Sequence, residues 1–300
     1  MIHVVGNAAI DMIFRVDRFP LPGETVVAAE VSEDLGGKGA NQAVMARRAG
    51  SKVRLVAAVG DDPAGARIRA VLGAEAVLAD GVVDWPGPTD RSSIYVDAAG
   101  ENTIVSVTGA AQAFDPVAAG KLAEVEPEDV VLCQGNLRVA VLVDCLGAAR
   151  ARGAATVLNP SPLFPTRGFD WSAASTVVLN EIEAKALSGN NDSREGARRL
   201  LEAGARDVVV TLGHRGAAMV GSECIEVPAP RVDAIDTTGA GDVFCGVLTA
   251  ARAAGAPWRV ALAAAARAAA IAVTRRGVLA SFPSAAETAT ILAQEFGRAN

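Results

Sequence analysis

Asp236-Thr-Thr-Gly-Ala-Gly-Asp242 runs without a break into the apolar stretch 243–254. A Gly-Ala-Gly turn that opens a helix leaves backbone N–H groups pointing out of the helix end, with side chains too small to block an anion. The helix dipole adds partial positive charge there, so Gly239, Ala240 and Gly241 form a candidate cradle for phosphate or another anion. Asp242 stands at the same place, where a carboxylate can take the proton of an attacking hydroxyl, as general bases do in phosphoryl transfer. Two plainer readings stand beside this one. Asp is common in first helical turns because it favours the dipole, and a glycine-rich turn is an ordinary link into a helix. A P-loop is excluded, since Lys38 is followed by Gly39 where that motif needs Ser or Thr.

The second stretch is Gly36-Gly-Lys-Gly-Ala-Asn-Gln42. Its glycines free the backbone for close approach, while Lys38 and Asn41 offer donors suited to sugar hydroxyls. A flexible turn with a solvated lysine is the plainer alternative. Zinc chemistry has little to work with: the chain has four cysteines with no CxxC pair, and two histidines, His3 and His214. The cysteines read as reduced and mostly buried.

These stretches must be held by an α/β framework. Apolar runs at 53–59, 130–133, 155–158, 176–179 and 207–212 read as buried strands. Helically spaced stretches lie between them at 41–49, 64–72, 139–152, 182–187 and 194–203. That alternation predicts a doubly wound, mainly parallel sheet with helices on both faces. Gly50, Gly73, Gly153 and Gly204 follow helical stretches, where a left-handed cap favours glycine. Residues 10–16 and 25–31 form a β-rich pair around Pro20-Leu-Pro-Gly23, and 92–96 and 103–107 another around Ala98-Ala-Gly100. These hairpins predict a small antiparallel sheet over one end of the main layer, as a lid. Helices are expected at 240–254, 257–274 and 285–296. The whole of 1–300 reads as one domain, with lid segments 10–33 and 91–108 inserted.

Composition closes several function classes. With 28 Lys and Arg against 34 Asp and Glu, the formal net charge is −6, and no basic cluster suggests a nucleic-acid face. Hydrophobic residues make up 51%, enough for a large core. The longest run without a charged residue, 153–166, contains three prolines and falls short of the roughly 20 apolar residues a membrane span needs. Met1 leads straight into a strand-like run with no basic n-region, so a cytoplasmic location is expected. The Arg pairs 47–48, 198–199 and 275–276 read as solvated helix faces.

The motifs taken together resemble the ribokinase-family, or PfkB-type, carbohydrate kinases. The resemblance is carried by Gly6-Asn7 to Asp11, Pro22-Gly-Glu24, 36–44, Val59-Gly-Asp-Asp62, 180–184, 211–216, 236–242 and 273–283, nearly end to end. It implies a doubly wound α/β fold with a β-sheet lid and an ATP-dependent kinase that phosphorylates a primary hydroxyl of a sugar. It makes Asp242 the catalytic base and Gly239, Ala240 and Gly241 the anion hole for the transferring phosphate. Asp11, Gly37, Lys38, Asn41 and Asn136 become the substrate cradle. Asn180 and Glu183 match an Asn-x-x-Glu motif near the phosphates and hydrated Mg2+, and Thr211, Gly213 and Gly216 match the nucleotide loop. A K+ site is implied at Asp236, Thr238, Ala272, Arg275, Gly277 and Ser281, mostly through backbone carbonyls. A homodimer through the lid is a further expectation, since open sheet edges tend to be paired.

Three positions depart from the ribokinase pattern. Ala9 stands where an Asn precedes the sugar-binding Asp, Gln134-Gly-Asn136 lacks the glutamate of Gln-x-Glu, and Gly109-Ala-Ala111 replaces Gly-Ala-Asn. Each removes a polar partner near the sugar, and a site built to bind hydroxyls discriminates through such partners. Ribokinase leads among the implied activities. A nucleoside kinase of adenosine, inosine or pseudouridine type and a fructose or ketodeoxy-sugar kinase are the alternatives within the class. From outside it comes a sugar or nucleotide sensor that keeps the fold without catalysis.

Overall fold

The computed structural model describes residues 1–99, 101–189 and 192–299. The chain enters through β1 (Ile2–Val5), an apolar run buried along its whole length, as a central parallel strand must be. It then leaves the layer for an outlying hairpin, β2 (Ala9–Arg15) and β3 (Glu30–Gly36). α1 (Lys38–Arg48) returns it to β4 (Val53–Gly60), whose eight residues are all buried. Asp62 caps α2 (Pro63–Ala74) by accepting from Gly65 N at 2.8 Å, and Pro63 takes the first helical position, where no N–H is needed. β5 (Leu78–Trp85) follows, then a second outlying hairpin, β6 (Arg91–Val96) and β7 (Asn102–Val107), and the short α3 (Gly109–Ala113).

Strand and helix then alternate through β8 (Val130–Gln134), α4 (Val139–Ala151), β9 (Ala155–Asn159) and β10 (Thr176–Asn180). α5 (Glu181–Ser188), α6 (Ser193–Glu202) and β11 (Asp207–Thr211) continue the pattern. β12 (Ala217–Val220) and β13 (Cys224–Val227) fold back antiparallel on β11. α7 (Ala240–Ala253), α8 (Trp258–Ala272) and α9 (Ala285–Ala299) complete the order.

Among the described residues the main sheet has nine strands, in the order β13-β12-β11-β10-β9-β8-β1-β4-β5. Every neighbouring pair is parallel except those made by β12 and β13. Alternate strand residues feed two cores. Val4, Leu132 and Val178 join the cluster that includes α1, α7 and α8. Val5, Cys133 and Leu179 join the one that includes α4 and α6. The helices therefore cover both faces, as the alternation predicts.

The winding reverses at β1, which pairs with β4 on one side and β8 on the other. Helical crossovers leave a crevice at such a switch point, outside the carboxyl ends of the strands. Gln134, Asn159, Asn180 and Thr211 are the last residues of β8, β9, β10 and β11, so polar side chains gather along that edge. Over the crevice stands the second sheet, order β3-β2-β6-β7. Its two antiparallel hairpins join through a parallel β2–β6 pair, with Asp11 opposite Ser92.

Some expectations shift. The partner of the first lid strand lies at 30–36, not 25–31. The apolar Val26-Val-Ala-Ala29 suggested a strand, but pairing places the polar run Glu30 to Asp34 against β2, where only Leu35 and Gly36 are buried. In the second hairpin's turn, Gly100 lies outside the described residues. Gly50, Gly153 and Gly204 do take the positive φ of helix caps. Gly73 does not: α2 runs through it, and the left-handed position falls on Ala76 with φ 54°. Arg48 is no solvated residue, since its guanidinium bonds Glu75 at 2.6 Å and the carbonyls of Phe282 and Pro283 at 3.2 Å.

Ala76 yields a test of the backbone reading. Its Cβ costs about 1–2 kcal/mol in a left-handed conformation, against roughly 0.5–1 kcal/mol for glycine's extra chain entropy. Ala76→Gly is expected to raise unfolding stability by about 0.5–1 kcal/mol. Urea unfolding checks this, and an unchanged or lower midpoint would count against it.

Candidate functional site

α7 opens at the crevice with Gly239 as its N-cap, in the left-handed region at φ 75°. A side chain there is barred twice, by that conformation and by the Phe282 ring, which would lie 2.6 Å from an added Cβ. The bare turn leaves the N–H groups of Gly239 and Gly241 bonded to no protein acceptor among the described residues. The Ala240 N–H turns back to Thr237 O at 3.3 Å. The Gly239 and Gly241 amides are thus left free at the positive end of the helix dipole.

Asp242 follows one turn in, and it is buried. Its carboxylate meets donors from α1 on both oxygens. Gln42 Nε2 donates to Oδ1 at 2.9 Å and Asn41 Nδ2 to Oδ2 at 3.2 Å. Lys38 Nζ lies 3.8 Å from Oδ1, its side chain partly exposed. Buried carboxylates need such partners, and here all of them come from the first turn of one helix. Gln42 in turn meets Asn159 and Gln134, the terminal residues of β9 and β8. The sequence reading missed Gln42 and Asn159. The available signals were the Gln that ends the glycine-rich motif and the polar residues that terminate otherwise apolar strands.

The lid contributes Asp11, buried on β2. Burial pushes its carboxyl up to about 6, a hydrogen bond from Ser92 opposes the rise, and nearby Asp242 and Asp34 reinforce it. Gly36 is required beside it, since an added Cβ would sit 2.2 Å from the Asp11 carboxylate. Gly37 takes φ 86° as the N-cap of α1 and brings Lys38 and Asn41 into the crevice. Asn136 is partly buried just past β8, its backbone carbonyl accepting from Gln112 at 2.7 Å and its Oδ1 unpartnered. The Gly109-Ala-Ala111 turn is held from behind, with Asp90 accepting from the N–H groups of Ala110 and Ala111 at 2.9 and 3.1 Å.

Farther along the crevice, Asn180 and Glu183 form a reciprocal capping box on α5. Asn180 Oδ1 accepts from Glu183 N at 2.8 Å, and Glu183 Oε2 from Asn180 N at 2.9 Å. The pair therefore has a structural duty of its own. Thr211 ends β11, Gly213 and Gly216 have positive φ, and Leu212 N closes the turn onto Gly216 O at 2.8 Å. Arg215 pairs with Glu181 of α5 at 2.8 Å, which joins this loop to the capping box.

Behind the α7 turn, the implied cation positions cluster in two straps. Asp236 accepts from Thr238 N at 2.9 Å and from Gly277 N at 3.2 Å, so it ties the straps together. Ala272 O accepts from Arg275 N at 3.0 Å, and the buried Ser281 hydroxyl donates to Val278 O at 2.7 Å. Arg275 directs its guanidinium away to Glu287, whose carboxyl it holds down near 2. What remains is a set of hard oxygens with one carboxylate, donors of the kind that suit a hard cation. Among the described residues no three His, Cys, Asp or Glu side chains cluster to hold a metal.

The chain was compared with known proteins. The pfkB family carbohydrate kinase model matches residues 1–285. A ribokinase of Mus musculus is 34% identical over 82% of this chain and 79% of its own length. A deoxyribokinase of Salmonella typhimurium is 31% identical over 94% of this chain and 95% of its own. The solved structure of Arabidopsis thaliana ribokinase complexed with ribose and ATP superposes with a TM-score of 0.85 at 25% identity, covering 97% and 98% of the two chains. The chain belongs to the pfkB family of carbohydrate kinases.

Proposed function

We propose that the chain is an ATP-dependent kinase of ribokinase type, transferring the γ-phosphoryl group to a primary hydroxyl of a sugar. The observation that carries this is the buried Asp242 carboxylate, held only by donors, beside the outward amides of the α7 turn. A proton acceptor and an anion hole then lie on one short segment, which suits in-line attack of a hydroxyl on phosphate. The sugar sits under the lid, where Asp11 accepts from its hydroxyls, Lys38 and Asn41 donate to it, and Gly37 lets it approach the backbone. Asn136 offers an amide oxygen as a further acceptor. Asp242 takes the proton of the primary hydroxyl, and its oxygen attacks the γ-phosphorus. Gly239, Ala240 and Gly241 stabilise charge on the transferring group, the Ala240 N–H giving up its long bond to Thr237.

Asn180, Glu183, Thr211, Gly213 and Gly216 line the nucleotide side. Mg2+ would be held there through the phosphates near Asn180 and Glu183, and when bound it neutralises charge on the leaving diphosphate. K+ would be held by Asp236 and by oxygens of Thr238, Ala272, Arg275, Gly277 and Ser281, steadying the α7 turn from behind. We read residues 1–300 as one catalytic unit with the lid inserted. Val31, Ile104, Val105 and Val107 of the lid are exposed, which supports a homodimer formed through that sheet. No helix among the described residues is long and apolar enough to cross a membrane. Three buried free thiols support a reducing, cytoplasmic setting, and the net charge of −6 argues against a nucleic-acid partner.

A second reading concerns the acceptor. Ala9 and Ala111 are both buried and short, and they stand where the ribokinase pattern has two polar groups near the sugar. A nucleoside, or a sugar with one hydroxyl fewer, answers to that. ADP formation with Mg2+ and K+ should be measured across ribose, deoxyribose, fructose, ketodeoxygluconate, adenosine, inosine and pseudouridine. Turnover of one acceptor names the substrate. ATP binding without turnover of any would overturn the kinase reading in favour of a sensor.

Two variants probe the roles. Asp242→Asn keeps the shape and loses the base, so kcat should fall by about 10²–10⁴-fold while ATP affinity stays within a factor of about three. Wild-type turnover by this variant would remove Asp242 from the chemistry.

Asp11 carries a stability signature. Its folded pKa is raised from 3.8 to about 6, so the folded protein binds a proton that the unfolded chain releases between those values. That contribution favours folding in acid and is lost as pH rises through the window. Asp11→Asn escapes the loss. It should be about 1–3 kcal/mol more stable than the parent at pH 7.5, with most of the advantage gone near pH 4. Its KM for the acceptor should rise by roughly tenfold or more. Chemical unfolding at the two pH values checks the first claim, and an Asn variant no more stable at pH 7.5 refutes it.

A further inference from the structure

Three buried carboxamides connect the sheet to Asp242. Gln42 and Gln134 are fully buried and Asn159 nearly so. Asn159 Nδ2 donates to Val178 O at 2.8 Å, a backbone carbonyl that can only accept. Asn159 Oδ1 must therefore face Gln42, where it accepts from Nε2 at 3.0 Å. The second hydrogen on the same Nε2 goes to Asp242 Oδ1 at 2.9 Å. Gln42 Oε1 points the other way and accepts from Gln134 Nε2 at 2.9 Å. One backbone carbonyl of β10 thus sets the direction of every amide in the chain, and no flip of Gln42 satisfies its neighbours.

The consequence falls on Asp242. Oδ1 always meets an N–H, so that oxygen can accept there and cannot carry a proton toward Gln42. Oδ2, reached by Asn41 at 3.2 Å, is left as the oxygen that can turn a lone pair to a substrate hydroxyl. Gln134 and Asn159 are register partners at the carboxyl ends of adjacent parallel strands. The carboxylate is thereby referenced to the rigid sheet rather than to the lid. We propose that Gln42 is a positioning residue that, through Asn159 and Gln134, fixes the rotamer of Asp242 and reserves Oδ2 for the acceptor hydroxyl. This rests on the reading of Asp242 as the base.

The test is steady-state kinetics of the full-length protein with Mg-ATP and the acceptor found in the panel. Gln42→Met keeps the length and apolar bulk but donates nothing. Gln42→Glu keeps the acceptor for Gln134 and turns an oxygen on Asp242. In both, kcat should fall by about 10–100-fold while KM for ATP and for the acceptor stay within a factor of about three. A purely structural role would move kcat and both KM values together, or none of them. Asn159→Ala touches no reacting group and serves as the remote member of the series. Through the freed Gln42 amide it should lower kcat by about 3–10-fold with KM again unchanged, and it supplies the comparison if the Gln42 variants do not fold. Unchanged kcat in any of these variants, when it binds ATP normally, would overturn the proposal. If Asp242→Asn itself keeps turnover, the base reading has failed instead. An inactive Asp242→Asn beside a fully active Gln42→Met sinks this inference alone.

Discussion

A carboxylate removed from water must meet donors on both oxygens, and Asp242 does so only because four elements converge on it. α7 presents it, the first turn of α1 supplies Asn41 and Gln42, and the ends of β8 and β9 hold Gln42 in place. Parallel strands make this possible. Their carboxyl ends all open on the same side, and the reversal of winding at β1 keeps helices from covering them. Burying polar groups at that edge would be costly if any were unsatisfied. The directed amide chain meets most of that cost next to the α7 turn, leaving Gln134 Oε1 and Asn41 Oδ1 without a partner.

The lid poses the opposite problem. Asp11 is buried without a full set of donors, and its raised carboxyl records the imbalance. Gly36 and Gly37 make the arrangement sterically possible. One clears the space beside the carboxylate, and the other turns the chain straight from the lid into α1. Sheet and lid therefore divide the work. The sheet, through Gln42, holds the Asp242 carboxylate against its donors, and the lid holds the Asp11 carboxyl buried and raised.

Local patterns were legible in the sequence, and contacts between distant segments were not. The glycine turns at 36–39 and 239–241 announce themselves because the backbone conformation is written in neighbouring residues. The alternation of strands and helices is likewise a local signal. Gln42 and Asn159 are 117 positions apart, and nothing in either neighbourhood says that they meet. The β3 register failed for a related reason: the apolar run at 26–29 looked like a strand, while long-range pairing with β2 selected the polar residues after it. Strands β12 and β13 are too short to show a period. Asn180 and Glu183 were found as a motif, and the structure adds that they also cap a helix, a role the spacing alone allows.

α1 ties these parts into one mechanical unit. Its first turn carries Lys38, Asn41 and Gln42 to Asp242, and its last residue, Arg48, holds the carbonyls of Phe282 and Pro283. The Phe282 ring packs on Gly239, the residue that gives the α7 turn its shape. The strap carrying Phe282 is bound at its other end by Asp34 of β3, which accepts from Val278 N at 3.1 Å, and by Asp236, which accepts from Gly277 N. A path of short contacts thus runs from the lid strand through the strap to the turn that opens α7. Asp34 thus fastens the lid strand to the strap, and the strap in turn sets the Phe282 ring against Gly239. The lid strand and the turn that opens α7 are for that reason parts of one contact network in this fold.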